Sequence, residues 1–283
     1  MMRWVFGAAC FFLLSACGAR LPTATPPAPL AALSPTPSLV PSSFPNSAPA
    51  PTASPTQCPR QGEIRQDSVD TSAYGRDLPF RIYLPPCYEQ GTGGWPALYL
   101  LHGLGGDDQT WLALGLADTA DRLIKDGSVP GFLIVLPWQR TGLEIEPALL
   151  EGLVPYVEEN YGALPGPTWR AVGGLSRGGG WAFRLALRYP NVFSAVGLHS
   201  PAIRSGDLAA LPTWLAQPRW SGTPKIWIDI GDRDSLLPAV DELTQALETR
   251  NVAHELSISP GRHEGAYWAH QLETYLRWYG QHW

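Results

Sequence analysis

Three observations predict an α/β fold built on a central, mostly parallel sheet with helices on both faces. Short continuous apolar runs, the mark of strands buried on both sides, recur from residue 97 onward. Segments with helical periodicity fill the gaps between them. Alternation of β and α at these lengths leads to a layered fold with right-handed crossovers.

The chain has 283 residues, with 29 Pro and 29 Gly, and it divides into three parts. Residues 1–16 read as an export signal. Arg3 is a short positive region, and Trp4–Leu14 is an apolar run too short to span a bilayer of ~30 Å as a helix. Leu14-Ser15-Ala16-Cys17 resembles a bacterial lipobox. That resemblance implies a diacylglyceryl group on Cys17, which becomes the mature N-terminus. The chain is then expected outside the cytoplasm, anchored to the cell membrane through this lipid.

Residues 17–57 are read as a disordered tether. Leu21–Gln57 holds 11 Pro and no Asp, Glu, Lys or Arg, and the rest is mostly Ala, Ser and Thr. Such a segment forms neither a core nor a regular helix. In a polyproline conformation its 37 residues reach at most roughly 115 Å.

Residues 58–283 form the body. All 25 acidic residues and 18 of the 20 basic ones lie there, a net charge of −7. This acidity argues against nucleic-acid binding and against adsorption to anionic lipid by charge. Cys58 and Cys87 are an even pair in an oxidising compartment and are expected to form a disulfide. No spacing of metal-ligand type is present, and no metal or organic cofactor is expected.

Within the body, Glu63–Asp70 and Leu78–Leu84 alternate with period two and read as antiparallel strands. Buried strands follow at Ala97–Leu101, Phe132–Leu136, Ala171–Leu175, Phe193–Leu198, Ile226–Ile230 and Glu255–Ile258. Helices are predicted over Ala117–Lys125, Glu144–Asn160, Gly179–Tyr189, Leu237–Arg250 and Ala266–Tyr279. Pro201–Gly222 is left as a short cap. In this architecture functional side chains gather at the carboxyl ends of the strands.

Gly174-Leu175-Ser176-Arg177-Gly178 fits G-x-S-x-G, and it lies between a strand and a helix. A sharp turn there lifts the Ser176 hydroxyl clear of the sheet. A serine nucleophile needs a base, and the base needs an orienting carboxylate. His263 ends the turn after the last strand and is the candidate base. Asp232 and Asp234 follow the strand before it. Asp234 is favoured because reach requires a turn of three residues. The backbone N–H groups of Arg177 and Leu104 are the expected oxyanion donors. His102 and His199 end strands nearby. His102 is read mainly as a loop-fixing residue, and both are kept as candidates for substrate contact.

Together these segments resemble the Putative esterase branch of the α/β-hydrolases, which includes esterase D, feruloyl esterases and mycolyltransferases. The resemblance rests on Tyr99–Gly106 with Trp111, on Leu84-Pro85-Pro86-Cys87-Tyr88, and on Gly173–Gly179. It also rests on Gly231–Ser235 and on His263 with Tyr267-Trp268. It implies ester hydrolysis through an acyl-enzyme on Ser176, with Asp234 as the acid, acting on small-molecule or carbohydrate esters. Cys87 replaces the usual Gly, and Pro137-Trp138-Gln139-Arg140 replaces the usual Pro-Asp-Gly. Trp138 therefore becomes a candidate for stacking on an aromatic or sugar group. Most of the body's other tryptophans, such as Trp169 and Trp227, are expected in the core. Acyl transfer to a sugar or glycerol hydroxyl is the first alternative. A non-catalytic envelope- or carbohydrate-binding domain is the other.

Overall fold

The computed structural model describes residues 61–189, 191–218 and 222–283. The expected signal, Cys17, the tether and Cys58 lie outside the described residues. The body forms one sheet of eight strands. These are β1 (Glu63–Val69), β2 (Leu78–Leu84), β3 (Ala97–Leu101), β4 (Leu133–Pro137), β5 (Arg170–Leu175), β6 (Ala195–His199), β7 (Lys225–Gly231) and β8 (Glu255–Ser259). Their order is β1-β2-β4-β3-β5-β6-β7-β8. β2 pairs antiparallel with both β1 and β4, and every later pairing is parallel.

The central strands are buried on both sides, and period-two alternation divides their side chains between two cores. Leu133 and Val135 of β4 join one cluster, while Ile134 and Leu136 join the other. The first core is closed by α4 (Val154–Tyr161), α5 (Arg177–Arg188), α6 (Ser205–Leu215) and α7 (Leu237–Glu248). The second is closed by the short α1 (Thr110–Ala113), α2 (Leu116–Lys125) and α8 (Gly265–Gly280). Helices therefore cover both faces, as expected.

Four details differ from the sequence-based reading. The predicted helix Glu144–Asn160 is interrupted: α3 covers only Ile145–Pro147, and Ala148–Leu153 winds as a π-helix before α4 begins. Pro155 has no N–H to donate to the preceding turn, and a wider turn there relieves the mismatch. The same segment packs closely on the loop after β1, since a Cβ on Gly152 would lie 2.5 Å from Thr71 Cγ2. Within the expected cap, Ser205–Leu215 is a helix. Asp207 caps it by accepting the Arg204 N–H at 3.0 Å, and a buried bidentate pair with Arg184 fastens it to α5.

β8 is an edge strand, so Leu256 and Ile258 are exposed rather than buried. Trp169 precedes β5 in a single 3-10 turn and is 36% exposed, whereas Trp227 is in the core as expected.

Candidate active site

The site sits at the carboxyl ends of β3 to β8. Ser176 occupies the tight turn between β5 and α5 with φ 55° and ψ −117°, a conformation that L-residues rarely adopt. Its neighbours make that turn possible. A Cβ on Gly174 would lie 2.5 Å from the Gly178 carbonyl oxygen, and one on Gly178 would collide with the Leu101 carbonyl. The Ser176 N–H donates to the His199 carbonyl at 2.9 Å, and the Ser176 carbonyl accepts the Ala202 N–H at 2.8 Å. The elbow is thus clamped to the end of β6.

His263 Nε2 lies 2.9 Å from Ser176 Oγ. Its Nδ1 lies 2.8 Å from Asp234 Oδ2 and 3.1 Å from Oδ1. Asp234 is buried, and its Oδ1 also accepts the Leu236 N–H at 2.9 Å. A carboxylate at Nδ1 places the ring proton there, which leaves Nε2 with a lone pair facing the serine hydroxyl. Asp234, not Asp232, therefore meets the imidazole. Asp232 is exposed and accepts the Gly261 N–H at 2.9 Å, a bond that holds its carboxyl below the ordinary carboxylate value. It braces the loop that presents His263.

Leu104 and Arg177 both line the cleft beside the elbow. Gly103 runs so close to it that a Cβ there would lie 2.8 Å from Leu175 Cδ1 and 3.5 Å from Ser176 Cβ. The Arg177 guanidinium reaches back to the Gly103 carbonyl at 3.3 Å.

His102 and His199 are buried and are not among the residues that line the cleft beside Ser176. His102 is 1% exposed. Its Nε2 accepts the Gln139 backbone N–H at 3.0 Å, so its proton sits on Nδ1, 2.8 Å from the Gly103 carbonyl. Burial, aided by the nearby Arg177 charge, holds its pKa below the usual histidine value against the opposing pull of the Gly103 bond. It joins the loop after β3 to the loop after β4. His199 is fully buried, with Nδ1 2.7 Å from Asp229 Oδ1 and Nε2 3.0 Å from the Tyr279 hydroxyl. Asp229 Oδ2 also accepts from the hydroxyls of Tyr267 and Tyr275, at 2.9 and 2.8 Å.

Sequence reasoning missed this buried network, because α8 is distant in sequence and its tyrosines read as ordinary core. It also missed the bracing role of Trp268. The indole of Trp268 donates to Ser200 Oγ at 3.1 Å and meets the His263 ring edge-on, with centroids 5.0 Å apart.

Trp138 is 37% exposed and lines a cleft of about 520 Å³ beside Leu104 and Arg177. The Arg140 guanidinium lies over its ring, 5.4 Å from the centroid. The cleft is open toward solvent, and its walls come from the loops after β3 and β4 and the start of α5, together with Arg76 from the loop before β2.

Comparison with known proteins identifies a family and a fold. The family model described as Putative esterase matches residues 71–142 and 143–279. The chain is 27% identical over 230 residues to an endo-1,4-beta-xylanase/feruloyl esterase of Xylanibacter ruminicola, covering 75% of this chain and 30% of that protein. It is 32% identical over 154 residues to Esterase Rv1288 of Mycobacterium tuberculosis, covering 51% of this chain and 34% of that one. The chain thus spans about a third of the length of these relatives. Among solved structures, a ferulic acid esterase superposes with a TM-score of 0.69 at 25% identity, covering 79% of this chain and 100% of that one. An S-formylglutathione hydrolase from Staphylococcus aureus superposes with a TM-score of 0.66 at 18% identity, covering 78% and 98%, a likeness of fold.

Proposed function

Because the chain belongs to the Putative esterase family, we propose that it is a serine carboxylesterase working through Ser176, His263 and Asp234. The observation that carries this reading is the continuous contact from Ser176 Oγ to His263 at 2.9 Å and on to Asp234 at 2.8 Å. In the first half-reaction His263 Nε2 takes the Ser176 proton as Oγ attacks the ester carbonyl. The backbone N–H groups of Leu104 and Arg177 receive the oxyanion, and a lost donor of this kind costs ~2.7–4 kcal/mol of barrier. His263 then protonates the leaving alcohol, and an acyl group remains on Ser176. In the second half-reaction His263 deprotonates water, which attacks the acyl-enzyme, and His263 returns that proton to Ser176 Oγ as the acid leaves. Asp234 holds the ring and stabilises its charged form throughout.

The substrate is a small-molecule or carbohydrate ester. The names of the relatives, feruloyl and ferulic acid esterase, support an aromatic acyl group, and the half-exposed Trp138 offers it a flat partner. We further propose that the protein is exported, held to the membrane by a lipid on Cys17, and closed at the start of its body by a Cys58–Cys87 disulfide. The lipobox-like Leu14–Cys17 sequence supports the anchor. The even pair of cysteines in the body of an exported chain supports the disulfide.

The test is hydrolysis of 4-nitrophenyl acetate and butyrate by the full chain and by Ser176→Ala. Turnover that the variant lacks is expected. Equal turnover by the variant, or none by the wild type, overturns the reading.

A further inference from the structure

We propose that the cleft beside Ser176 selects esters carrying an anionic group, a carboxylate or a phosphate, received by Arg76, Arg140 and Arg177. The inference rests on the esterase reading and names its substrate class.

Three guanidinium groups line this cleft, and among its described lining residues there is no Asp or Glu. That is unexpected in a body whose net charge is −7. Most of the other described arginines are neutralised: Arg65, Arg81, Arg170 and Arg184, for example, each sit on a carboxylate. Among the described residues, Arg76, Arg140 and Arg177 form no such ion pair.

They are nevertheless held in place, each by a backbone carbonyl. Arg76 Nη1 donates to Thr141 O at 3.1 Å, Arg140 Nη2 donates to Asp77 O, and Arg177 Nη2 donates to Gly103 O at 3.3 Å. A carbonyl orients a guanidinium without cancelling its charge. The Nε donors of Arg140 and Arg177 are buried and have no hydrogen-bond acceptor. Burial and the nearby Arg204 both oppose the charge on Arg177, so an anion brought alongside relieves it.

The placement suits substrate selection. Arg177 follows the nucleophile, so its backbone lies at the oxyanion position while its side chain lines the cleft. Arg140 stacks on Trp138, which pairs a flat apolar surface with a cation. A guanidinium fork binds carboxylate or phosphate oxygens two at a time. An ester with an apolar body and a charged end therefore fits this wall.

The experiment compares kcat/KM within pairs that differ by one anionic group. 4-Nitrophenyl butyrate against the mono-4-nitrophenyl ester of succinate puts the charge on the acyl side. Phenyl acetate against 4-acetoxybenzoate puts a carboxylate on the alcohol side, and 4-acetoxyphenyl phosphate puts a phosphate there. In at least one pair the anionic ester is expected to be preferred about tenfold or more. The preference shrinks as NaCl rises from 0.05 to 0.5 M, as screening requires. It collapses toward unity in Arg76→Gln/Arg140→Gln, and the charge-preserving Arg76→Lys/Arg140→Lys retains most of it. No preference in any pair, or a preference that the Gln variant keeps, overturns the proposal.

Failure of the esterase reading has a different signature, no turnover of any ester. Calorimetric binding of phenyl phosphate and benzoate, against benzyl alcohol, to the Ser176→Ala chain then decides. Anion-selective binding lost in the Gln variant supports the cationic cleft, and equal or absent anion binding overturns it.

Discussion

The Tyr279 hydroxyl of α8 lies 3.0 Å from Nε2 of His199, the residue whose carbonyl accepts the Ser176 N–H. The last helix of the chain is thereby tied to the nucleophile turn through one buried imidazole. The tie depends on absent side chains: a Cβ on either Gly173 or Gly197 would collide with that hydroxyl. Asp229 anchors the other side of the ring and is 2% exposed. Asp229→Ala strands the hydroxyls of Tyr267 and Tyr275 as well as His199, and a loss of about 3–5 kcal/mol is expected. Tyr279→Phe removes one neutral bond and should cost about 1 kcal/mol. Urea denaturation measures both.

Asp234 and Asp232 are two residues apart and have separable roles. Asp234→Asn leaves the ring contact in place but favours the wrong tautomer of His263, and kcat should fall roughly ten-thousand-fold. Asp232→Asn removes a charge from an exposed brace 2.9 Å from the Gly261 N–H, and kcat should fall by about tenfold or less. Steady-state kinetics on one ester compares them. Similar losses in both variants would contradict the assignment.

Gly178 has no room for a side chain, since its Cβ would meet the Leu101 carbonyl at the end of β3. Gly178→Ala must push the elbow away from the loop that carries Leu104. A destabilisation of about 1–3 kcal/mol is expected, with kcat falling more than KM rises. Thermal unfolding and kinetics measured on the same sample test the link.

His102 gives the fold a pH dependence of known sign. Its pKa is lowered in the folded state, so the unfolded chain binds this proton more readily. Stability from this group is therefore complete above the unfolded value, about 6.5, and is lost as pH falls below it. A protonated ring also cannot accept the Gln139 N–H. Melting temperature should drop between pH 7 and pH 5.5, and the drop should be smaller in His102→Gln. Equal slopes in the two proteins would remove His102 as the cause.

Much of this arrangement could be read from the chain alone, for physical reasons. Parallel strands such as Leu98–Leu101 are buried on both faces and therefore show as apolar runs. Ser176, Asp234 and His263 sit in turns at strand ends, where polar and glycine residues stand out against those runs. The π-helix at Ala148–Leu153 was hidden because an apolar period does not distinguish 3.6 from wider turns. Helix α6 was hidden because its first turn is held by the contact of Asp207 with Arg184, 23 residues away. The arginine cluster was invisible for a related reason. Arg76, Arg140 and Arg177 are scattered in sequence, and only the packing of two loops against the start of α5 brings them to one wall.

The contact between Gly231 and Gly261, where a Cβ would lie 2.6 Å from the facing carbonyl carbon, welds the acid loop to the histidine loop. On the other side of the elbow, His102 and Gln139 knit the loops that carry Leu104, Trp138 and Arg140. The proposed machinery is therefore divided across the sheet, with the His263 and Asp234 loops on one flank, the arginine-lined cleft on the other, and Ser176 at the seam. On the proposed reading, substitutions at residues 76, 138 and 140 would retune which ester is accepted while the proton relay stays intact, so a single chemistry would be free to serve changing substrates.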